Sequence, residues 1–473
     1  MLSCQGFFPL LFEINACHTT FIAVRITLQV INMYIPDEKN SENAVNSIKT
    51  QKIQQIWEKR PRFSRPRRFS IGRVILQVIG LVVMLQTTVV IILQIISIQR
   101  RHTRHQGGFP HLNLEEQHIG ENTLQIYSYG RDLYDAMLAA IDAAQESIYL
   151  ETYIWKGDEV GQEFKERLAR KARQGVRVYA IYDRFANLVV PNDFKVFPPE
   201  MHVLQYQGFR RLWHIFDPRH YALDHRKLLV VDGTTGFIGG YNLGSLYATA
   251  WRDTHLRIQG PAATHLAQSF VDFWNQQTPV REHISQHYRR RFDPLINIRG
   301  NSVMRLTFPI RDMYIEAIDK AERTILLTNA YFVPDGALLD ALKAAAQRGV
   351  DVHILVPWIS NHVVVDWLTR GYFTECLKAG IRVFGYNNML HAKTCTIDSE
   401  WSTIGTANLD RLSSVGNYEI NVEAYSKKLA HLMEELFTCD TTNAFELKLD
   451  QWVKRPWYAM LSERILSPLR ALL

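Results

Sequence analysis

Two stretches of this chain carry the same chemically capable residues at the same spacing. The first, His225 to Asn242, reads HRKLLVVDGTTGFIGGYN, and the second, His391 to Asn408, reads HAKTCTIDSEWSTIGTAN. A single offset of 166 residues joins His225 to His391, Lys227 to Lys393, Asp232 to Asp398, Gly239 to Gly405 and Asn242 to Asn408. The same offset joins Asp253 to Glu419. One H-x-K-x4-D pattern arises easily by chance, whereas two copies in one register do not. In H-x-K the two side chains share one face of a strand. An imidazole attacks phosphorus or exchanges a proton near neutral pH. The neighbouring ammonium holds a phosphate oxygen. Glycine pairs after the second strand let backbone approach a ligand closely, and each asparagine adds an amide donor. Joined about a pseudo-twofold axis, the two copies supply two His, two Lys and two Asn around one anion. Such a set stabilises a pentacoordinate phosphoryl group by charge and fixed donors, with no metal or cofactor.

The carboxylates divide into two kinds. Asp232 and Asp398 complete the repeated pattern and stand among the candidate catalytic residues. Their place near a strand-to-turn junction reads mainly as structural, with the carboxylate accepting backbone hydrogen bonds. Asp253 and Glu419 are better placed to act on the imidazoles. A carboxylate on the far ring nitrogen fixes the tautomer and stabilises the imidazolium. Cys395 lies inside the second copy on an expected buried strand and reads as core.

These residues need elements to hold them, and from about Phe109 the pattern is α/β. Helical spacing marks Asp132–Ala144, Gly161–Arg173 and Gly336–Gln347. Strand patterns mark Ser147–Trp155, Val176–Tyr182, Thr324–Phe332 and Val350–Val356. RQGVRVYAIYD (173–183) and QRGVDVHILVP (347–357) are visibly alike, so the α/β unit reads as duplicated. The expected fold is two similar α/β halves, mixed sheets flanked by helices, at 110–290 and 300–445.

The N-terminal part has a different character. Residues 1–73 read as an extension and basic linker, with seven cations between Lys59 and Arg73. Val74 to Ile98 then runs 25 residues without a charge. As a helix it would be ~37 Å long, enough to span ~30 Å of hydrocarbon. Arg100, Arg101 and Arg104 follow it. The heavier N-terminal cluster places the N-terminus in the cytoplasm by the positive-inside rule. The 473 residues are 47% hydrophobic and 21% charged, which excludes wholesale disorder. Five cysteines, odd in number and without C-x-x-C spacing, argue against a disulfide framework or a cysteine zinc site. The net charge of +7 favours an anionic partner.

The duplicated H-x-K-x4-D-x6-G-x-x-N resembles the signature of the phospholipase D superfamily over about residues 110–445. LETYIW (150–155), WRD (251–253), NAYFVP (329–334) and GTANLDRLS (405–413) are most similar to bacterial cardiolipin synthases. The resemblance implies a shared active site between the halves and a phosphohistidine intermediate. It implies His225 as nucleophile and His391 as acid/base, an assignment that symmetry makes reversible. Lys227, Lys393, Asn242 and Asn408 would bind phosphate, and Asp253 and Glu419 would orient the histidines. It implies transfer of a phosphatidyl group from one phosphatidylglycerol to another at a bacterial inner membrane, and the uncharged run at 74–98 reads as a single pass, where some relatives show two spans and others none. Competing readings are a lipid hydrolase, another phosphatidyltransferase using phosphatidylethanolamine or serine, and a nuclease. The apolar span, and the lack of a basic aromatic-laced patch, argue against nucleic acid as partner. Thr406 stands where the family usually has Ser. The tail, 446–473, mixes Trp452, Trp457 and Tyr458 with Lys454, Arg455, Arg464 and Arg470. That composition suits either an amphipathic interfacial helix or one packed on the catalytic core.

Overall fold

A computed structural model describes residues 71–102, 108–209, 214, 216–289 and 293–471. The expected extension and most of the basic linker lie outside the described residues. Helix α1 (Ile71–His102) contains a stretch, Ile75–Ile96, long and apolar enough to cross a membrane. Most of its large side chains, including Leu76, Leu81 and Met84, are exposed.

The first α/β half runs β1 (Gln117–Ile119), β2 (Asn122–Tyr127), α2 (Gly130–Ala143), β3 (Ser147–Thr152), α3 (Glu159–Arg173), β4 (Arg177–Asp183) and β5 (Met201–Tyr206). It continues with β6 (Leu228–Val231), β7 (Thr235–Gly239), α4 (Ser245–Thr249), β8 (Trp251–Arg252), β9 (His255–Gln259) and α5 (Ala263–Gln277). The second half runs β10 (Ile296–Gly300), α6 (Pro309–Lys320), β11 (Thr324–Asn329), α7 (Gly336–Gln347), β12 (Asp351–Pro357), α8 (Val363–Lys378) and β13 (Arg382–Tyr386). It continues with β14 (Met389–Leu390), β15 (Lys393–Ile397), β16 (Trp401–Gly405), α9 (Arg411–Val415), β17 (Ile420–Tyr425), α10 (Lys427–Thr441) and β18 (Ala444–Glu446). Two short helices, α11 (Leu449–Trp452) and α12 (Trp457–Leu466), form the tail.

Each half holds an eight-stranded mixed sheet. The orders are β1-β2-β9-β7-β6-β3-β4-β5 and β10-β17-β16-β15-β11-β12-β13-β18. β3, β4 and β5 are parallel, as are β11, β12 and β13, and the motif strands β6 and β15 join them antiparallel. Helices cover both faces, so central strands are buried throughout. Ile148 and Leu150 pack toward α2 and α3, while Tyr149 on the opposite face joins a second apolar cluster. That second cluster belongs to both halves: Ile238, Leu256 and Phe270 meet Ile404, Ile420 and Met433. Burying these residues together holds the two motif strands in a fixed relation.

Local chemistry agrees with the helix starts. Asp158 and Asp335 cap α3 and α7, accepting from the backbone N–H of Gly161 at 3.1 Å and Leu338 at 3.0 Å. The observed boundaries differ from the sequence reading by a few residues at most, the largest difference being that β3 and β11 stop early, at Thr152 and Asn329. The chain there turns into the site.

Candidate active site

The motif histidines are not strand residues, contrary to the reading of H-x-K as one strand face. β6 begins at Leu228 and β15 at Lys393, and each histidine sits in the lead-in segment. That segment is held by the other half. Leu390 pairs with Arg252, and Asp224 bridges to Tyr418. His391 N–H donates to the Arg252 carbonyl at 2.7 Å, and His225 N–H to the Tyr418 carbonyl at 3.1 Å. The 166-residue offset relates these two crossings, so it is also a symmetry of the site.

The crossing decides which carboxylate serves which imidazole. His225 Nδ1 lies 2.9 and 3.0 Å from the Glu419 oxygens, and His391 Nδ1 lies 2.6 Å from Asp253 Oδ2. Each histidine is therefore oriented by the opposite half, leaving Nε2 as the reactive nitrogen. The imidazoles are only 11% and 5% exposed, and both carboxylates are buried. Lys227 Nζ donates to the His225 carbonyl at 2.7 Å, and Lys393 Nζ donates to the His391 carbonyl. Asn242 Oδ1 accepts from Ile154 N–H at 3.1 Å. Asn408 Oδ1 is buried with no hydrogen-bond partner among the described residues.

Asp232 and Asp398 are not brought to this cluster. They sit at the far ends of β6 and β15, in left-handed conformation with φ of 51° and 55°. Asp232 accepts from the backbone N–H groups of Gln145, Glu146 and Ser147 at 2.7–2.9 Å. Asp398 does the same for Glu322, Arg323 and Thr324 at 2.7–2.8 Å. Three fixed donors occupy each carboxylate, and each ties the end of the motif strand to the start of its antiparallel neighbour, β3 or β11. Cys395 is buried on β15, with its thiol pushed up by burial.

Several contacts were not anticipated. Tyr153 lies edge-on to His225 with centroids 4.8 Å apart, and Tyr331 and Trp251 flank His391 at 6.2 and 5.3 Å. The tyrosines fall in LETYIW and NAYFVP, so the signal was present without a role attached. Thr406 Oγ1 donates to Glu419 Oε2 at 2.5 Å. Its counterpart Gly240 has no room for a side chain, because a Cβ there would lie 2.0 Å from Asp253 Oδ1. Arg252, buried beside Asp253, forms a bidentate pair with Asp440 of α10 at 2.8 and 2.7 Å.

Burial dominates the electrostatics. It pushes His225 well below the usual imidazole range and His391 down to about 3, and the neighbouring ammoniums add to both. Burial also lowers Lys227 to about 7 and Lys393 to about 8. It raises Glu419 to about 8, against the opposing charge of Lys227. Asp253 differs. Burial would raise it, but His391 and Lys393 more than offset that and hold it below the usual range. Without an anion the site thus keeps neutral imidazoles between two easily discharged ammoniums. A negative charge placed between the lysines would favour their protonation and that of one neighbouring imidazole. No group of His, Cys, Asp and Glu among the described residues is arranged to hold a metal ion.

Two mixed-sheet halves sharing one histidine–lysine site define a phospholipase D-type fold. The solved phosphatidylserine synthase of Haemophilus influenzae has this fold, with a TM-score of 0.56 and 15% identity over 79% of this chain and 97% of that one. Residues 137–274 and 314–441 match the family described as cardiolipin synthase, PLD-like domain. The major cardiolipin synthase of Bacillus subtilis is 33% identical over 369 residues, 74% of this chain and 76% of that protein. A Listeria monocytogenes cardiolipin synthase is 32% identical over 379 residues, with the same shares covered. The chain belongs to the PLD-like cardiolipin synthase family.

Proposed function

We propose that this chain is a cardiolipin synthase, moving a phosphatidyl group from one phosphatidylglycerol to another and releasing glycerol. The observation that carries the reading is the pair of crossed histidine–carboxylate contacts beside two buried lysines. That set provides a nucleophile and a separate proton donor facing one phosphate. His225 Nε2 attacks phosphorus while Lys227, Lys393, Asn242 and Asn408 hold the non-bridging oxygens. The phosphorus–oxygen bond to glycerol breaks, and His391 gives the leaving oxygen its proton. The glycerol hydroxyl of a second phosphatidylglycerol then loses its proton to His391 and attacks phosphorus. The phosphorus–nitrogen bond breaks, cardiolipin leaves, and both histidines return to their starting states. Glu419 and Asp253 stabilise positive charge on the imidazole each one touches.

Residues 74–98 act as a single membrane span that keeps the two halves, 110–290 and 300–445, beside the lipid, at a bacterial inner membrane. Purified protein in phosphatidylglycerol micelles is expected to yield cardiolipin and free glycerol without added metal. Phosphatidic acid as the only product would replace this reading with hydrolysis. His225→Ala and His391→Ala should each remove nearly all turnover, and full activity in either would refute the shared site.

A further inference from the structure

The tail after β18 folds back on α8 through one face. Leu466 is fully buried, and Trp452 packs on Phe373 at 5.5 Å while its indole N–H donates to Thr374 at 3.1 Å. Arg470 lies over the Tyr372 ring at 4.2 Å, and Arg455 pairs with the mostly buried Glu463 at 2.6 Å. These contacts fix α11 and α12 as part of the catalytic unit. The opposite face carries a different set. Trp457 is 70% exposed, Tyr458 59%, Leu461 46% and Val453 46%, with exposed Lys454 and Arg464 among them. Positions 457, 461 and 464 recur at helical spacing, so they form one stripe along α12. Arg464 on the stripe and Lys454 just before α12 are exposed cations, while Glu463, the acid within α12, is turned inward to Arg455.

We infer that this face of the tail is a lipid-docking surface that seats the catalytic unit on an anionic bilayer. Indole and phenol rings prefer the headgroup level, where an apolar body and a polar tip are both satisfied. Lysine and arginine stems lie along apolar surface while their charges reach phosphate. A second copy of the chain is a poorer occupant. An isologous contact would place Lys454 and Arg464 of each copy against an equally acid-free patch. The inference rests on the proposed lipid substrate only for the choice of an anionic membrane.

The test uses the full chain reconstituted in vesicles of phosphatidylcholine with phosphatidylglycerol brominated in its acyl chains. The difference in tryptophan emission between wild type and Trp457→Phe isolates Trp457. Bromolipid is expected to quench that difference at least twofold relative to unbrominated vesicles. A companion variant, Trp457→Ser with Tyr458→Ser and Leu461→Ser, should match wild type in saturating mixed micelles. In vesicles poor in phosphatidylglycerol it should need several-fold more of that lipid for half-maximal rate. Unquenched Trp457 emission would overturn the inference. So would a wild-type dimer that the triple variant dissociates, which would assign the face to a second copy. Quenching is read without turnover, so an enzyme that makes no cardiolipin would refute the proposed function and leave this inference standing.

Discussion

Replacing Asp253 with Asn should produce an enzyme that behaves as though His391, not His225, had been removed. Asp253 Oδ2 sits 2.6 Å from His391 Nδ1 in a buried setting. An asparagine can turn its NH2 toward Nδ1, which moves the ring proton to Nε2 and blocks that nitrogen. Losing one charge-assisted hydrogen bond costs about 1.5–3 kcal/mol, or roughly 10- to 150-fold in rate. Enforcing the wrong tautomer can carry the loss to about 10⁴-fold. Glu419→Gln should mimic loss of His225 for the same reason, since its oxygens lie 2.9 and 3.0 Å from His225 Nδ1. A phosphatidyl ester of p-nitrophenol separates the steps, because this leaving group needs little help from an acid. If His225 is the nucleophile, His391→Asn and Asp253→Asn should both release a burst of p-nitrophenol and accumulate phosphohistidine. His225→Asn and Glu419→Gln should show neither. The comparison does not depend on which histidine attacks, because each carboxylate variant is matched to a histidine variant. Asp253→Asn matching His225→Asn would refute the crossed pairing.

Other consequences can be checked independently. Lys227 and Lys393 are lowered to about 7 and about 8, so both are charged below pH 7 and both are discharged well above pH 8. Inhibition by a dialkyl phosphate, singly charged throughout, should therefore weaken tenfold or more between pH 6.5 and 9. A flat inhibition constant would contradict the depressed lysines. Gly240→Ala puts a Cβ 2.0 Å from Asp253 Oδ1, so turnover should fall at least tenfold, whereas Gly336→Ala meets nothing within 4 Å and should be silent. Asp440→Asn leaves the buried Arg252 guanidinium without its counter-charge and should cost about 3–5 kcal/mol in urea unfolding. Pairing Arg252→Met with Asp440→Leu should restore most of that loss.

The sequence by itself determined the duplication and its chemical content. Two copies in one register single out His225, Lys227, Asn242 and their counterparts as candidates, because those residue types suit phosphoryl chemistry. It also determined the strand and helix pattern, since period-2 and period-3.6 apolar repeats follow directly from backbone geometry. Asp232 and Asp398 were legible as turn carboxylates from their place at a strand end. The partner of each histidine was not legible. Asp253 and Glu419 each follow the histidine of their own half by 28 residues, so spacing favours neither pairing. Only the pairing of β8 with β14, and of Asp224 with Tyr418, carries each carboxylate into the other half. The tail shows the same limit. Its composition fitted a buried helix and an interfacial one equally, and packing against α8 buried one face and left the other exposed. Side-chain type and spacing are local properties that a sequence carries directly. Which two distant segments share a hydrogen-bonded edge depends on burying one apolar core between both halves, and only the folded chain decides that.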